Sequence, residues 1–518
     1  MDNTIGRKSQ PVDIRRVLLI IIATATPFLV PFFLVLLSGH SLFDVVPYYV
    51  GGDAVARYDY VRNILDHGTL LGYNGYDFVT AKIPSLGSAW GFFWAIPYIG
   101  FGKIFGWGLN SPIMANILFL CLANLIFILL TRCSNKSICL VIIMSCLLYI
   151  NINYSISGMS EPSRYAAAII LAGMMYRLAV FETSKIFRYV IVPLFMVYGA
   201  AIFILLSAFI IPYCIIVLKI KRWPVKGLVT IAVFLICTLF IKRANSQFCT
   251  PYFQGFNIKK DVAALKEGIV PGIKMVISTS WNNFISFSYR AFTDLHYQHG
   301  QYAWFVTVVW SLMILLALLL IFKKYKTEKD KFLLLGALYI LVIITFGYIV
   351  LYNDDRTTLT RGINTALCAA VFLIALMDSR KAAVFYIILA VLFMPFFGRN
   401  FMSMCDDDYR CLTPEQVHDI EARRDIAAGA IIIDPAAEPW DNTVAIRYGG
   451  KSTAFVVPSG AGKVSMHKVT LNEKARYVLA GNDGDEDEIA GFVNDHISHG
   501  HELLVQTDDF TILKRTGE

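Results

Sequence analysis

The chain has 518 residues, of which 56% are hydrophobic and 16% charged, and a formal net charge of +8. That balance excludes an ordinary soluble multidomain protein. At roughly 20 residues per crossing, the length holds a dozen membrane spans and leaves a soluble domain over. In a soluble chain the positive charge would suggest nucleic acid; here it fits Lys and Arg gathered in short cytoplasmic loops, and no nucleic-acid partner is expected.

The N-terminus, 1–16, "MDNTIGRKSQPVDIRR", is basic and reads as cytoplasmic. The run at 17–38 is too long for a signal-peptide core and lacks a small-residue cleavage pattern before Asp44, so it reads as a retained first span. Further apolar runs lie near 88–106, 112–131, 137–156, 165–181, 189–220, 226–242, 303–322, 332–352, 363–377 and 382–398. Two are ambiguous: 88–106 is broken by Pro97 and several glycines, and 189–220 is long enough for two short crossings. If 88–106 crosses and 189–220 crosses once, Arg132 and Lys136 fall outside with Lys185 and Arg188. If instead 88–106 lies at the interface and 189–220 splits around Leu206–Ala208, those residues, "KIKRWPVK" (219–226), "KKYKTEKDK" (323–331), Arg380 and Lys381 all fall inside with the N-terminus. The positive-inside rule favours the second arrangement.

Both arrangements give eleven crossings between 17 and 398. Both place outside the loops 39–87, 243–302 and 353–362 and the tail from 399; the second adds "SGMSEPSR", 157–164. The tail, 399–518, mixes short β-like runs ("GAIIID", "STAFVVP", "ARYVLAG", "ELLVQT") with the helix-like "EQVHDIEARRDIAAG". That alternation predicts a small extracytoplasmic α/β domain. The fold class is therefore a polytopic α-helical membrane protein with a C-terminal α/β domain. No internal repeat stands out. The ten cysteines form no CxxC pair; most sit in apolar runs, and Cys405 and Cys411 are the one plausible disulfide pair, with two free thiols the alternative.

The first outer loop contains "VGGDAVARYDYVRNILDHG", 50–68, with Asp53, Arg57, Asp59, Arg62 and Asp66 in fourteen residues. Each Asp or Arg costs roughly 2.5–3.5 kcal/mol at a helix centre in the bilayer, which excludes a crossing here. Wound as a helix, the segment places Asp59, Arg62 and Asp66 on one face, as for a helix lying along the membrane surface. Asp53 at its start is either an N-cap or a general base acting on a hydroxyl near the interface.

In organisation, residues 15–245 resemble the GT-C superfamily of polytopic glycosyltransferases. The pieces that carry the resemblance are "GGDAVARYDYVRNIL", the Pro84 segment and "YSISGMSEPSRYAAAIILAG"; in the tail, "PWDNTVAIRYGG" and "AFVVPSG" look similar to outer-face domains of bacterial envelope glycosylation proteins. The resemblance implies an enzyme of the bacterial plasma (inner) membrane. It would transfer a sugar from a polyprenyl-phosphate donor to an envelope polysaccharide or lipid-linked glycan on the outer face, usually with inversion. It implies Asp53 as the base, with Asp44 and Asp59 as alternatives, and Glu161 where several relatives keep a second acid. "MSEP" departs from the Asp-x-Asp pattern of the metal-dependent branch, so no cofactor is expected, and a divalent metal stays open. Without the resemblance, Glu161 and Arg164 read as loop charges at a span boundary.

A leaving phosphate needs cationic stabilisation, for which Arg offers a forked donor. Candidates are Arg57, Arg164, the pair Arg356 and Arg361 in "NDDRTTLTRG", and Arg290 and His296 in "SYRAFTDLHYQHG". Each alone reads equally as a solvated charge or an interfacial anchor. Asp294, His296 and His299 resemble a metal set only loosely, lacking a fourth ligand. "YGGKST" and "SGAGKVS" lack phosphate-loop spacing. Trp281 and Trp304 read as belt residues, with sugar stacking the alternative.

Two rival functions remain. A transporter or flippase of lipid-linked sugars predicts charges deep in several spans and an internal repeat. A non-catalytic adaptor explains the tail but not the crowded first loop.

Overall fold

The computed structural model describes residues 13–43 (except 38), 45, parts of 57–65, 91–246 (except 109), 268–293, 328–351 and 356–377. In the C-terminal region it describes 443–448, 451–456, 465–468, 475–481, 486–506 and 510–516. The spans expected at 303–322 and 382–398, the Cys405/Cys411 pair, and the runs "GAIIID" and "EQVHDIEARRDIAAG" lie outside the described residues.

The described part up to 377 is a bundle of apolar helices. Helix α1 (Ile14–Leu37) is followed by helical turns within 57–65 and by α2 (Ile96–Phe105), which a 3-10 turn, Phe93–Ala95, introduces. Then come α3 (Ser111–Thr131), α4 (Asn135–Leu147), α5 (Tyr149–Ser155) and α6 (Glu161–Val180). After a π turn, Phe187–Ile191, come α7 (Val192–Ile202), the 3-10 segment Ile204–Phe209, α8 (Ile210–Val217) and α9 (Trp223–Ser246). The last described helices of this part are α10 (Ile269–Thr293), α11 (Glu328–Leu351) and α12 (Arg356–Ala375). Three of these, α1, α3 and α9, are long and apolar enough to cross a membrane. At 1.5 Å per residue, ten-residue α2 covers about 15 Å, half the length of a bilayer core.

Helix α6 is central. Seventeen of its twenty residues are buried, and its small residues let α3 approach, with Gly173 lying against Phe127. Polar side chains stitch the bundle where the backbone is broken. Pro27 inside α1 has no N–H to give the carbonyl one turn earlier, on Ala23. Asn124 of α3 donates to that carbonyl at 2.8 Å and to Ser145 Oγ of α4 at 2.9 Å. The proline thus frees an acceptor inside the bundle, and the neighbouring helix supplies the donor.

Two sets of contacts orient the helices. Arg16, at the start of α1, donates to the Cys133 carbonyl (2.9 Å) and to Asn135 Oδ1 (3.3 Å), so the α3–α4 turn lies at the same end as the start of α1. At the opposite end, Asn110 before α3 donates to the carbonyls of Leu42 and Val45, just beyond α1. Residues 157–159 join that second end through Asn116. Residues 157–159 therefore lie at the end of the bundle where the chain leaves α1, and the α3–α4 turn with Arg132 at the end where α1 begins. The run 189–220 does break, at extended Phe203 (φ −148°, ψ 105°), a few residues before the expected point.

The C-terminal residues form a six-stranded sheet in the order β3-β2-β1-β4-β6-β5. The strands are β1 (Thr443–Tyr448), β2 (Lys451–Val456), β3 (Ser465–Lys468), β4 (Ala475–Gly481), β5 (His501–Gln506) and β6 (Phe510–Arg515). Neighbours are antiparallel except β1 and β4, which run parallel. Helix α13 (Glu486–Ser498) places Ile489, Phe492, Val493 and His496 on one face, an i, i+3, i+4, i+7 stripe. Phe492 of that stripe packs on Val478, Ala480 and Leu513. Gly500, at φ +91°, turns the chain from α13 into β5.

Candidate active site

Among the described residues, the buried charges of the helical bundle meet at the end that holds residues 157–164. Glu161 opens α6, with Pro162 next to it in the first turn; an acid there suits the positive end of the helix dipole. The carboxylate does more than cap the helix. Arg57 Nη1, from the first-loop segment, reaches Glu161 Oε2 at 3.2 Å, and Arg164 Nη1, one turn along α6, lies 3.7 Å from Oε1. All three side chains are buried, Glu161 completely. Arg57 also contacts Met159 Sδ at 3.1 Å and lies 6.0 Å from the Trp94 ring centroid, while Arg164 lies 5.4 Å from that of Phe203. Desolvated charges survive only when paired in this way, and the flanking rings favour guanidinium over ammonium.

The surrounding shell fixes the cluster. Asn116 Nδ2 donates to the carbonyls of Ser157 (2.9 Å) and Met159 (3.0 Å), and its Oδ1 accepts from the Tyr98 hydroxyl. One asparagine of α3 thereby sets the turn that leads into Glu161. The first-loop segment is clamped from the other side: Trp107 Nε1 donates to the Tyr58 carbonyl at 3.1 Å and stacks on the Tyr58 ring, while Tyr60 packs on Trp94. Gly102 of α2 lies directly against Leu65, an approach that a larger residue would obstruct.

Of the residues nominated from sequence, the structure brings together Arg57, Glu161 and Arg164. Asp44, Asp53, Asp59, Asp294, His296 and His299 lie outside the described residues. Arg290 falls in α10 and Arg356 and Arg361 in the first turns of α12; these are placed by their backbone alone. In α12, Asn364 Nδ2 donates to Asn151 Oδ1 of α5 at 2.7 Å, and further along Phe372 packs edge-on against Phe127. The helix therefore begins at the Glu161 end, which brings the Arg356 and Arg361 backbone there. Sequence reading passed over Asn116, Trp94, Tyr98 and Phe203. Asn116 carried a signal, a polar side chain inside an apolar run; the aromatics were indistinguishable from belt and core filling.

Among the described residues no group of three or more His, Cys, Asp or Glu side chains converges as a metal site. Glu161, the acid nearest a metal-binding role, has both oxygens facing guanidinium groups, and that donor set does not fit a divalent cation.

A crystal structure of ArnT from Cupriavidus metallidurans in the apo state is similar over 95% of this chain and 97% of that chain, at 11% identity and a TM-score of 0.33. A score of that size carries no argument here. No family model matches the sequence, and no curated protein does.

Proposed function

We propose that this protein is a membrane glycosyltransferase that moves a sugar from a polyprenyl-phosphate donor to a glycan or lipid-linked glycan acceptor on the outer face of a bacterial plasma membrane. The observation that carries the reading is the buried Arg57–Glu161–Arg164 cluster at one end of an apolar helical bundle, with the charged first-loop segment docked onto it. Charge of this kind, concentrated at one end and walled by aromatic rings, suits an anionic substrate that enters from the membrane.

In this reading a first-loop aspartate, Asp53 with Asp59 as alternative, takes the proton of the acceptor hydroxyl. The acceptor oxygen attacks the anomeric carbon from the side opposite the phosphate, the new C–O bond forms, and the old one breaks toward the phosphate. The guanidinium groups of Arg57 and Arg164 favour the departing anion, with Arg356 and Arg361 at the start of α12 as further candidates; Arg290 and His296 remain candidates from the sequence alone. Glu161 is the positioning residue. Its two oxygens spread Arg57 and Arg164 into one fixed arrangement, so the cations need no reorganisation as charge develops. No metal is assigned a step.

The test is transfer of label from polyprenyl-phosphate sugars in membranes carrying the wild type, Asp53→Asn or Asp59→Asn at matched expression. Transfer lost by at least about a hundredfold in one Asn variant, with folding intact, fits a general base. Transfer at the wild-type rate in both variants moves the base to Asp44 or Glu161, and the absence of transfer with every donor favours the transporter of lipid-linked sugars.

A further inference from the structure

A second cationic site lies at the other end of the bundle. Arg132 ends α3 in the left-handed conformation, φ 47°, the one described non-glycine residue with positive φ. Its guanidinium lies 5.5 Å from the ring centroid of Phe181, and that of Arg177, from the last turn of α6, lies 4.8 Å from the same centroid. Two like charges thus share one ring. Among the described residues no carboxylate comes within ion-pair distance of either; Glu182, next to Phe181, is exposed and does not reach them. Both arginines lie at helix C-terminal ends, where the helix dipole and the Phe181 face favour positive charge, and an anion bound between them would offset their mutual repulsion.

The surface beside it is apolar. Leu122 and Leu129 are exposed on one stripe of α3, seven residues apart, and Arg132 follows one turn later; Val180 is exposed on α6 beside Phe181. This is the Arg16 end of α1, which the positive-inside rule assigns to the cytoplasm. We propose that Arg132 and Arg177 bind the phosphate of an anionic phospholipid of the inner leaflet, whose acyl chain lies along the Leu129–Leu122 stripe. Basic pockets between helices on this face are where acidic headgroups dock, and the guanidinium fork matches phosphate oxygens.

The test uses the full chain in neutral detergent, with lipid binding read by native mass spectrometry and thermal shift. Phosphatidylglycerol should bind and raise Tm, phosphatidylcholine should not, and Arg132→Gln with Arg177→Gln should weaken binding at least about tenfold. Because Arg132 is exposed, Arg132→Gln alone keeps the experiment readable if the double variant misfolds. Lys185→Gln, which removes an exposed lysine on the same side, should retain full binding; equal loss there would reduce the effect to diffuse surface charge and overturn the site. A Tm rise of the same size with inorganic phosphate alone would overturn the assignment to a lipid.

Discussion

At Glu161 two guanidinium groups hold one carboxylate out of water, so its replacements should separate sharply. Removing one member of a buried ionic cluster strands the others: Glu161→Ala should cost about 3–5 kcal/mol, measured by chemical or thermal unfolding in detergent. Replacing all three together, Arg57→Met with Glu161→Met and Arg164→Leu, leaves no stranded charge and should restore much of that stability. Glu161→Gln should lower kcat more than it raises KM, as a positioning role requires and a merely structural one does not. At this scale the sequence was partly legible. Glu161 and Arg164 stand out only through the family resemblance, since charges at a span boundary are common, and Arg57 because its loop is crowded with charge. What joins them, a contact across 104 residues, is set by packing that no local pattern encodes.

Between elements, the bond from Asn124 to the Ala23 carbonyl makes a paired prediction. Asn124→Leu leaves that acceptor buried and unmet, and should destabilise by about 1–3 kcal/mol. In that background Pro27→Ala should recover part of the loss, because an N–H at position 27 can close the helical bond to Ala23; a double-mutant cycle read by Tm measures the coupling. Purely additive losses would contradict the link. Gly102→Ala should move Leu65 and, because a flexible side-chain end can yield, cost only about 1 kcal/mol. Most of the described helices follow the apolar runs that hydropathy marks. The sequence points to a break at Leu206–Ala208, around Ser207, whereas the extended residue is Phe203, one turn after Gly199, whose carbonyl accepts the Phe203 N–H.

In the whole molecule, the sheet and the bundle should respond differently to acid. His496 is buried against Phe492, and its Nδ1 lies 2.8 Å from the Phe492 carbonyl; the His501 ring packs edge-on beside it. Burial, aided by the charges of His501 and His499, holds the His496 imidazole below its ordinary range, while the Phe492 carbonyl and Asp495 act the other way. A His depressed in the folded state binds its proton more readily when unfolded. Stability is therefore fully present above the unfolded value of about 6.5 and falls as pH drops from there toward the folded value. Unfolding of the C-terminal sheet, followed by hydrogen exchange, should accelerate over that window, and His496→Gln should flatten the dependence. The sheet was only half legible: β2, β4 and β5 follow the runs read as strands, whereas β1, β3, β6 and α13 were not singled out. Their short alternations, and the acidic start of α13, match solvated loops as well as structure.

The most direct measurement of the central claim is label transfer from polyprenyl-phosphate sugars by the wild type and by the Arg57→Met, Glu161→Met, Arg164→Leu triple variant, reconstituted at equal density after their melting curves are compared. A site built on this cluster predicts a variant that melts near the wild type and transfers no label. Transfer at the wild-type rate by the folded variant would contradict it.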